Sequence, residues 1–394
     1  MMEISVQQAA LLLLISAVVA IVTRRLRLPY SVGLVAAGIV LALLPFSPVV
    51  NLTKNLLFAV LLPPLIFEAA FSLDWPQLRA DLPLVLVLAS LGVVLSAGVT
   101  TAGMHFLTHW PWASALVFGA LISATDPVSV IAAFKGTNVR GRLRGLVEGE
   151  SLFNDGTAAV LFAICVAAAT GTPVSAWEVS LRLVVVIGGS LVCGAVVAYA
   201  ALLLAGRTEE LFVELTFTTA AAYGSFLLAE DLHLSGVLAT LVAGLILGNT
   251  RAMKYIPDAD RQGIQSFWEY AAFVANSLVF LLIGIRVGRE HFLRGWLAVF
   301  VAIVLILLSR AIAVYPCCGL FARTRLRVSM RHQHVLFWGG LRGALALALA
   351  LSLPPEVPER ESIVSTSFAV VAFSIFVQGM TMKPMLRRFD EVPE

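Results

Sequence analysis

The sequence predicts an all-α polytopic membrane protein with about 13 transmembrane helices. Three observations carry that expectation. The chain of 394 residues is 59% hydrophobic and 13% charged, with a mean hydropathy of +0.93. Its apolar runs recur at lengths near 20 residues, the span of a bilayer's hydrocarbon core. The connections between the runs are too short to hold a soluble domain of any size. Lysine and arginine total 27 against 24 aspartates and glutamates, a surplus too small to indicate a nucleic-acid partner.

The first run, 6–22, closes at Arg24, Arg25 and Arg27. The terminus before it, MMEISVQQ, has no basic stretch, so a retained helix is expected rather than a cleaved signal. Segments 2 (29–46) and 3 (52–73) follow; the third carries Pro63 and Pro64 one turn before Glu68 and closes at Arg79. Segment 4 (82–107) ends near His105 and His109, whose spacing of four suits a metal, though no carboxylate lies close in sequence. Segment 5 (111–134) runs into a basic hairpin, Lys135, Arg140, Arg142 and Arg144, which leads to segment 6 (146–169). Segment 7 (178–205) precedes Arg207, and segment 9 (233–249) precedes Arg251, Lys254 and Arg261. In segments 8 (209–229) and 10 (266–288), Glu214, Glu269 and Asn276 read as helix-packing polar groups. Segment 11 (295–322) ends in Arg323, Arg325, Arg327 and Arg331, beside the solvated His332 and His334. Segments 12 (332–353) and 13 (361–383) complete the set, and about ten residues follow, so no regulatory tail is expected. Cys165, Cys193, Cys317 and Cys318 all fall in apolar segments without metal or redox spacing and read as packing residues.

Basic residues orient the chain. Nineteen of the lysines and arginines fall in one set of alternate loops and the tail, and six (Lys54, Arg182, Arg286, Arg289, Arg294 and Arg360) in the other. The positive-inside rule then places the N-terminus outside and the C-terminus in the cytoplasm, in a plasma or inner membrane. Arg310 and Arg342 lie within segments. At 1.5 Å per residue, Asp126, Asp155 and Arg342 all come to roughly 15 Å depth, and Glu150 and Glu68 to roughly 7 Å. A charge near the bilayer centre costs about 2.5–3.5 kcal/mol even on the lenient insertion scale, so such residues mark a pathway or pair with one another.

The same two segments that hold Asp126 and Arg342 have broken helical patterns. Asp126 precedes Pro127, which suits an N-cap and first residue of a second half-helix. The Asp126 carboxylate would then face the positive dipole end there. Segment 12 reads FWGGLRGALALAL, with Gly339, Gly340 and Gly343 around Arg342; a cation there suits the carbonyl end of a half-helix. Segments 5 and 12 run in opposite directions, and interrupted helices at matching places in two inverted halves point to a transporter's binding site. The expected repeat is segments 1–6 against 8–13.

On segment 6, Ser151 and Asp155 share a face, while Glu150 points about 140° away with Asn154 one turn above it. Ser151 and Asp155 offer hard oxygen ligands, suited to a cation such as Na⁺. Glu150 requires a counter-charge, which either Arg342 or Arg310 could supply. Glu68 has no evident local partner and reads equally as an interfacial glutamate or as a ligand on an access path.

The stretches ATDPVSV, GESLFNDGTAAV, LHLSGVLATLVAGLILGN, FVANSLVFLLIG and FWGGLRGALALALAL together resemble the NhaP/NHE type of sodium–proton antiporter over nearly the whole chain. The resemblance implies 13 helices with two crossed, discontinuous ones, segments 5 and 12. It also implies a core of 82–170 and 293–388, a linking helix over 171–207, panel helices over 1–81 and 208–292 that form a homodimer, and a short tail, 389–394. It further implies that Asp155 binds the cation or the proton, with Ser151, the Thr125 carbonyl and Glu68 helping to coordinate Na⁺. Asp126 and Asn154 would organise the site, and Glu150 and Arg342 would form an ion pair. Asn154, standing where relatives carry a second aspartate, places the chain with the one-for-one, electroneutral exchangers; a long cytoplasmic tail like that of eukaryotic members is not expected. The transported ions would be its only partners besides lipid and a second copy, and no cofactor is implied. K⁺ or broad cation selectivity remains open. A channel would need a continuous polar pore, and an intramembrane enzyme a nucleophile–base pair or metal set, which the midplane serines and histidines do not provide.

Overall fold

The computed structural model describes residues 6–26, 28–44, 53–126, 130–131, 134, 141–171, 176–205, 210–249, 258–289 and 295–390. All regular structure among them is helical, as the composition predicts. Among the described residues, eight helices are long and apolar enough to cross a membrane, and four further apolar helices are shorter.

The chain separates into two compact units. The first comprises Met1–Lys54, Asp81–Thr172 and Ser277–Glu394, and it holds both interrupted segments. It contains α1 (Val6–Leu26) and α2 (Tyr30–Leu43), the latter started by Pro29, whose fixed φ pre-sets the helical turn. The expected start of segment 4 is too late: a helix begins at Trp75, giving α3 (Trp75–Val87), and continues through a π-helical turn, Leu88–Gly92, into α4 (Val93–Thr108). The polar turn that reads as a loop, with Arg79 and Asp81, is therefore helical. The first unit continues with α5 (Trp112–Leu121) and the long α6 (Arg142–Ala169). Later come α7 (Trp296–Leu320), the short α8 (Met330–Trp338) and α9 (Ala344–Leu351). Helix α10 (Arg360–Phe373) runs through a π-helical stretch, Ser374–Gly379, into α11 (Met380–Asp390). Ser329 caps α8, its hydroxyl accepting from the His332 N–H.

The second unit comprises Asn55–Ala80 and Pro173–Asn276. A π-helical turn, Leu56–Leu61, leads into α12 (Leu62–Phe71), and α13 (Ala176–Ala205), α14 (Leu211–Asp231) and α15 (Gly236–Asn249) follow, with α14 and α15 packing on both α12 and α13. Their core is aromatic and alanine-rich: Phe67 and Trp268 meet at 4.4 Å between ring centroids, amid Ala221, Ala222, Ala243 and Leu247. The Trp268 indole N–H donates to Thr218 Oγ1 at 3.2 Å, so the buried ring leaves no orphan donor. Asn249 closes the unit, its amide donating to the Leu73 carbonyl and its oxygen accepting from the Trp75 N–H. Helix α16 (Asp258–Arg289) starts eight residues before the expected 266 and spans the boundary between the units.

The four cysteines are free and buried, consistent with packing. His105 donates through Nδ1–H to the Trp110 carbonyl, 2.7 Å away, and stacks on Trp112, so its ring is used locally.

Candidate cation-binding site

The site is built where two helices stop inside the apolar layer. Helix α5 ends at Leu121, and Ile122–Asp126 leave the helix; the expected N1 residue of the second half, Pro127, lies outside the described residues. The other break is complete: α8 ends at Trp338, Gly339–Gly343 are unwound, and α9 begins at Ala344. The two breaks are joined by a backbone bond, the Asp126 N–H donating to the Leu341 carbonyl at 2.8 Å.

Each half-helix that ends here leaves carbonyls without intrahelical partners, and its negative dipole end attracts a cation. Arginines meet both ends. Arg342 Nη1 donates to the Ser123 and Ala124 carbonyls just beyond α5, 3.1 Å to each. Arg310, from α7, donates to the Leu336 carbonyl of α8 through Nη2 at 2.9 Å and Nε at 3.3 Å. Both are buried, Arg342 at 1% exposure. Glycines make room for this: a Cβ on Gly340 would collide with the Arg310 side chain, and one on Gly343 with the Asp126 carboxylate. That carboxylate therefore lies against Gly343, at the positive start of α9, the other broken segment's second half.

Arg310, not Arg342, is the partner of Glu150. Its Nη1 and Nη2 donate to Glu150 Oε1 and Oε2 at 2.8 Å each, a bidentate pair. This corrects the expected Glu150–Arg342 pair. The physical reason is geometric: Arg342 is turned toward the end of α5, whereas Arg310 is fixed beside Glu150 by the α8 carbonyl it also serves.

On α6, Asn154 acts as a clip. Its Nδ2 donates to Glu150 Oε1 one turn below at 2.9 Å and to Thr125 Oγ1 at 2.6 Å, while its Oδ1 accepts the Thr125 N–H at 3.0 Å. Ser151 Oγ is 3.1 Å from Thr125 Oγ1. The structure thus brings Thr125, Ser151, Asn154 and Glu150 together. Asp155 follows on the same helix, partly accessible as a residue, but its Oδ1 is fully buried and has no hydrogen-bond partner among the described residues. A buried carboxylate oxygen without a donor is costly in a protein interior unless a cation or proton completes it. One turn before it on α6, Ser151 offers a hard hydroxyl oxygen of the type that suits an alkali cation rather than a soft metal.

Glu68 belongs to the second unit, half-buried on α12, with Ser72 Oγ donating to its Oε1 at 3.3 Å. Glu148 pairs with Arg144 at 2.7 Å, away from the site. One ion pair escapes sequence reasoning altogether. Arg142, the first residue of α6, donates through Nε and Nη2 to Asp81 at 2.7–3.1 Å, and to the Leu326 and Arg327 carbonyls. Its only signal is an acid and a base at the starts of segments 4 and 6, on the same expected membrane side.

A family model described as "Sodium/hydrogen exchanger, transmembrane" matches residues 11–388. The chain is 38% identical to the low-affinity Na⁺/H⁺ antiporter NhaS1 of Synechocystis, with 92% of this chain and 70% of that one covered. It is 35% identical to the Na⁺/H⁺ antiporter NhaH of Halobacillus aidingensis, with 97% of both covered. Its fold matches the sodium proton antiporter MjNhaP1 of Methanocaldococcus jannaschii at a TM-score of 0.77 and 18% identity, covering 98% of each chain. The chain belongs to the sodium/hydrogen exchanger family.

Proposed function

We propose that the protein is a secondary active antiporter that exchanges Na⁺, or Li⁺, for H⁺ by alternating access, with both ions competing for Asp155. The observation that carries this reading is the buried Asp155 Oδ1, without a donor among the described residues, on the helix whose Ser151 and Asn154 bond Thr125 at the break after α5. In this reading Ser151 and the Thr125 carbonyl complete the cation's coordination, and Asn154 holds Thr125 in place. Asp126 joins the two breaks, Glu68 receives the ion on its access path, and the Glu150–Arg310 pair supports α6 against α7 and α8.

The charges support one-for-one exchange. Around the two breaks the described residues supply three carboxylates, Asp126, Glu150 and Asp155, and two guanidiniums, Arg310 and Arg342. With all five ionised, one monovalent cation or one proton restores neutrality, which a low-dielectric interior demands.

The proposed topology is 13 spans in two inverted halves, with segments 5 and 12 crossed in the membrane, the N-terminus outside and the C-terminus cytoplasmic, in a plasma or inner membrane. The matched relatives being antiporters supports this reading. For the working division, 82–170 and 293–388 form the core and 171–207 the link. The panel, 1–81 and 208–292, forms the homodimer contact. The clustering of Asp81–Thr172 with Ser277–Glu394 supports that core, while Met1–Lys54 clusters with it too.

The test is transport in proteoliposomes with Na⁺, Li⁺ and K⁺ in turn, reading internal pH. Na⁺ and Li⁺ are expected to drive proton movement in the wild type, and Asp155→Asn to abolish it in a folded, inserted protein. A variant that still moves protons in response to Na⁺ would remove Asp155 as the carrier; a K⁺ response equal to that for Na⁺ would favour a broad monovalent cation antiporter.

A further inference from the structure

Positive charge gathers most densely between α7 and α8. The connection, Phe321–Ser329, carries Arg323, Arg325 and Arg327, and Arg331 follows in the first turn of α8. All four arginines are exposed. None of their side chains has a hydrogen bond or ion pair among the described residues. From His291 to Pro355 the sequence contains no acid. Other basic groups at helix ends are offset. Arg24 and Arg25 occupy the last turn of α1, where the helix dipole favours a cation. Arg387 and Arg388 end α11 and are followed by Asp390, Glu391 and Glu394. Arg142 and Arg144 pair with Asp81 and Glu148.

The connection is held in one shape. Arg142 Nη2 and Nη1 donate to the Leu326 and Arg327 carbonyls at 3.0 and 2.9 Å, and Gln333 Nε2 donates to the Val328 carbonyl at 2.9 Å. The Leu326 N–H donates to Thr324 Oγ1 at 3.1 Å, and the Arg327 N–H to the Thr324 carbonyl at 3.2 Å. With these backbone groups engaged, the arginine side chains are what the connection offers a ligand. It directly follows α7, a helix long and apolar enough to cross the membrane, so its place is the bilayer surface. Leu320 and Met330, at its two ends, are 65% and 58% exposed, apolar neighbours suited to acyl chains beside a basic cluster.

We propose that this connection docks the phosphodiester headgroups of anionic phospholipid and so anchors the start of α8. A guanidinium matches a phosphate bidentately, and a run of basic residues just beyond a membrane helix is the pattern that anionic lipid recognises. Because the backbone is already fixed, little ordering is lost on binding. Helix α8 runs from this connection to the break at Gly339, so the headgroup steadies one half of the broken segment. The proposal requires a membrane protein but no particular transported ion.

The experiment uses the full chain in a neutral detergent. Its melting temperature is followed against added phosphatidylglycerol, phosphatidylcholine or inorganic phosphate. A ligand that binds only the folded state raises the melting temperature as its site fills. Phosphatidylglycerol is expected to raise it in the wild type, and the other two to leave it unchanged. Each arginine near an anionic surface is worth about fivefold in affinity, so R323Q/R325Q/R327Q should need about a hundredfold more phosphatidylglycerol for the same rise. R24Q/R25Q, which removes charge from the end of α1, should need no more than the wild type. A wild type without the rise, or a triple variant with the wild-type response, overturns the proposal. So does a shift in R24Q/R25Q as large per charge, which would mark a general effect of surface charge. An equal rise with inorganic phosphate would replace the lipid site by a free-anion site, and an equal rise with phosphatidylcholine would remove the role of the arginines. Should the triple variant not fold, Arg325→Gln and Arg327→Gln decide singly. A shift of about fivefold in each supports the docking site, and unchanged responses overturn it.

Discussion

Glu150 and Arg310 are both buried, and each has a second duty: Glu150 accepts from Asn154, and Arg310 serves the Leu336 carbonyl. Removing either charge strands the other in a low dielectric, and breaking such a pair costs about 3–5 kcal/mol. Glu150→Gln and Arg310→Ala are each expected to lower stability strongly in detergent melts. The double variant should lose much less than the sum of the two. Glu150→Gln combined with Arg342→Ala should instead be close to additive, because no hydrogen bond links those side chains. A double-mutant cycle on the two pairs checks this, and a larger coupling for Glu150–Arg342 would contradict the geometry. At the same scale, Asp126→Asn is expected to impair exchange less completely than Asp155→Asn. An amide still keeps the backbone bond to Leu341 but cannot replace the charge of the carrier.

The elements that matter most are the two broken helices, and their closeness depends on absent side chains. Gly343 meets the Asp126 carboxylate and Gly340 the Arg310 side chain with no room for a methyl group. Gly343→Ala is expected to push Asp126 away from the start of α9 and slow exchange at least several-fold. Gly98→Ala, at a position of α4 with open space around it, should leave the rate unchanged and serves as the control for adding a methyl to a membrane helix. Initial rates at saturating Na⁺, compared at equal amounts of folded protein, decide between them. The long helix α6 presents its polar groups in successive turns: Arg142 at its start, Glu150 and Ser151 in the middle, then Asn154 and Asp155. One helix thus supplies the clip, the supporting acid and the proposed carrier, and its stiffness fixes their relative depth.

For the whole molecule, the proposed single carboxylate serving two ions would make them direct competitors, and alternating access around it would suffice for exchange. Below the pKa of that carboxylate in the cation-free protein, the free-site fraction falls tenfold per pH unit. The apparent KM for Na⁺ is therefore expected to rise about tenfold per unit of acidification there. The maximal rate should change much less. Initial rates against Na⁺ concentration at several symmetrical pH values test this. A steep change in maximal rate at constant KM would require a separate pH sensor, with Glu68 the first residue to examine.

Hydropathy alone determined the class, because a bilayer accepts only helices or closed barrels, and continuous apolar runs near 20 residues are the local mark of helices. The broken segments were equally legible: Asp126 before Pro127 and three glycines around Arg342 are local signals of a chain that cannot stay helical. The i,i+4 spacing set Asn154 over Glu150 and Ser151 beside Asp155, and the hydrogen bond between Asn154 and Glu150 follows from it. The tertiary structure decided which distant groups meet. That Glu150 pairs with Arg310, 160 residues away, and that Arg342 turns to the end of α5 could not be read from spacing, since both arginines lie within apolar segments of the sequence and either could serve as the counter-charge. The Arg142–Asp81 pair and the Asn154–Thr125 clip are of the same kind. Their partners are chosen by how the helices pack and rotate about their axes, and the sequence encodes that only through the sum of many contacts.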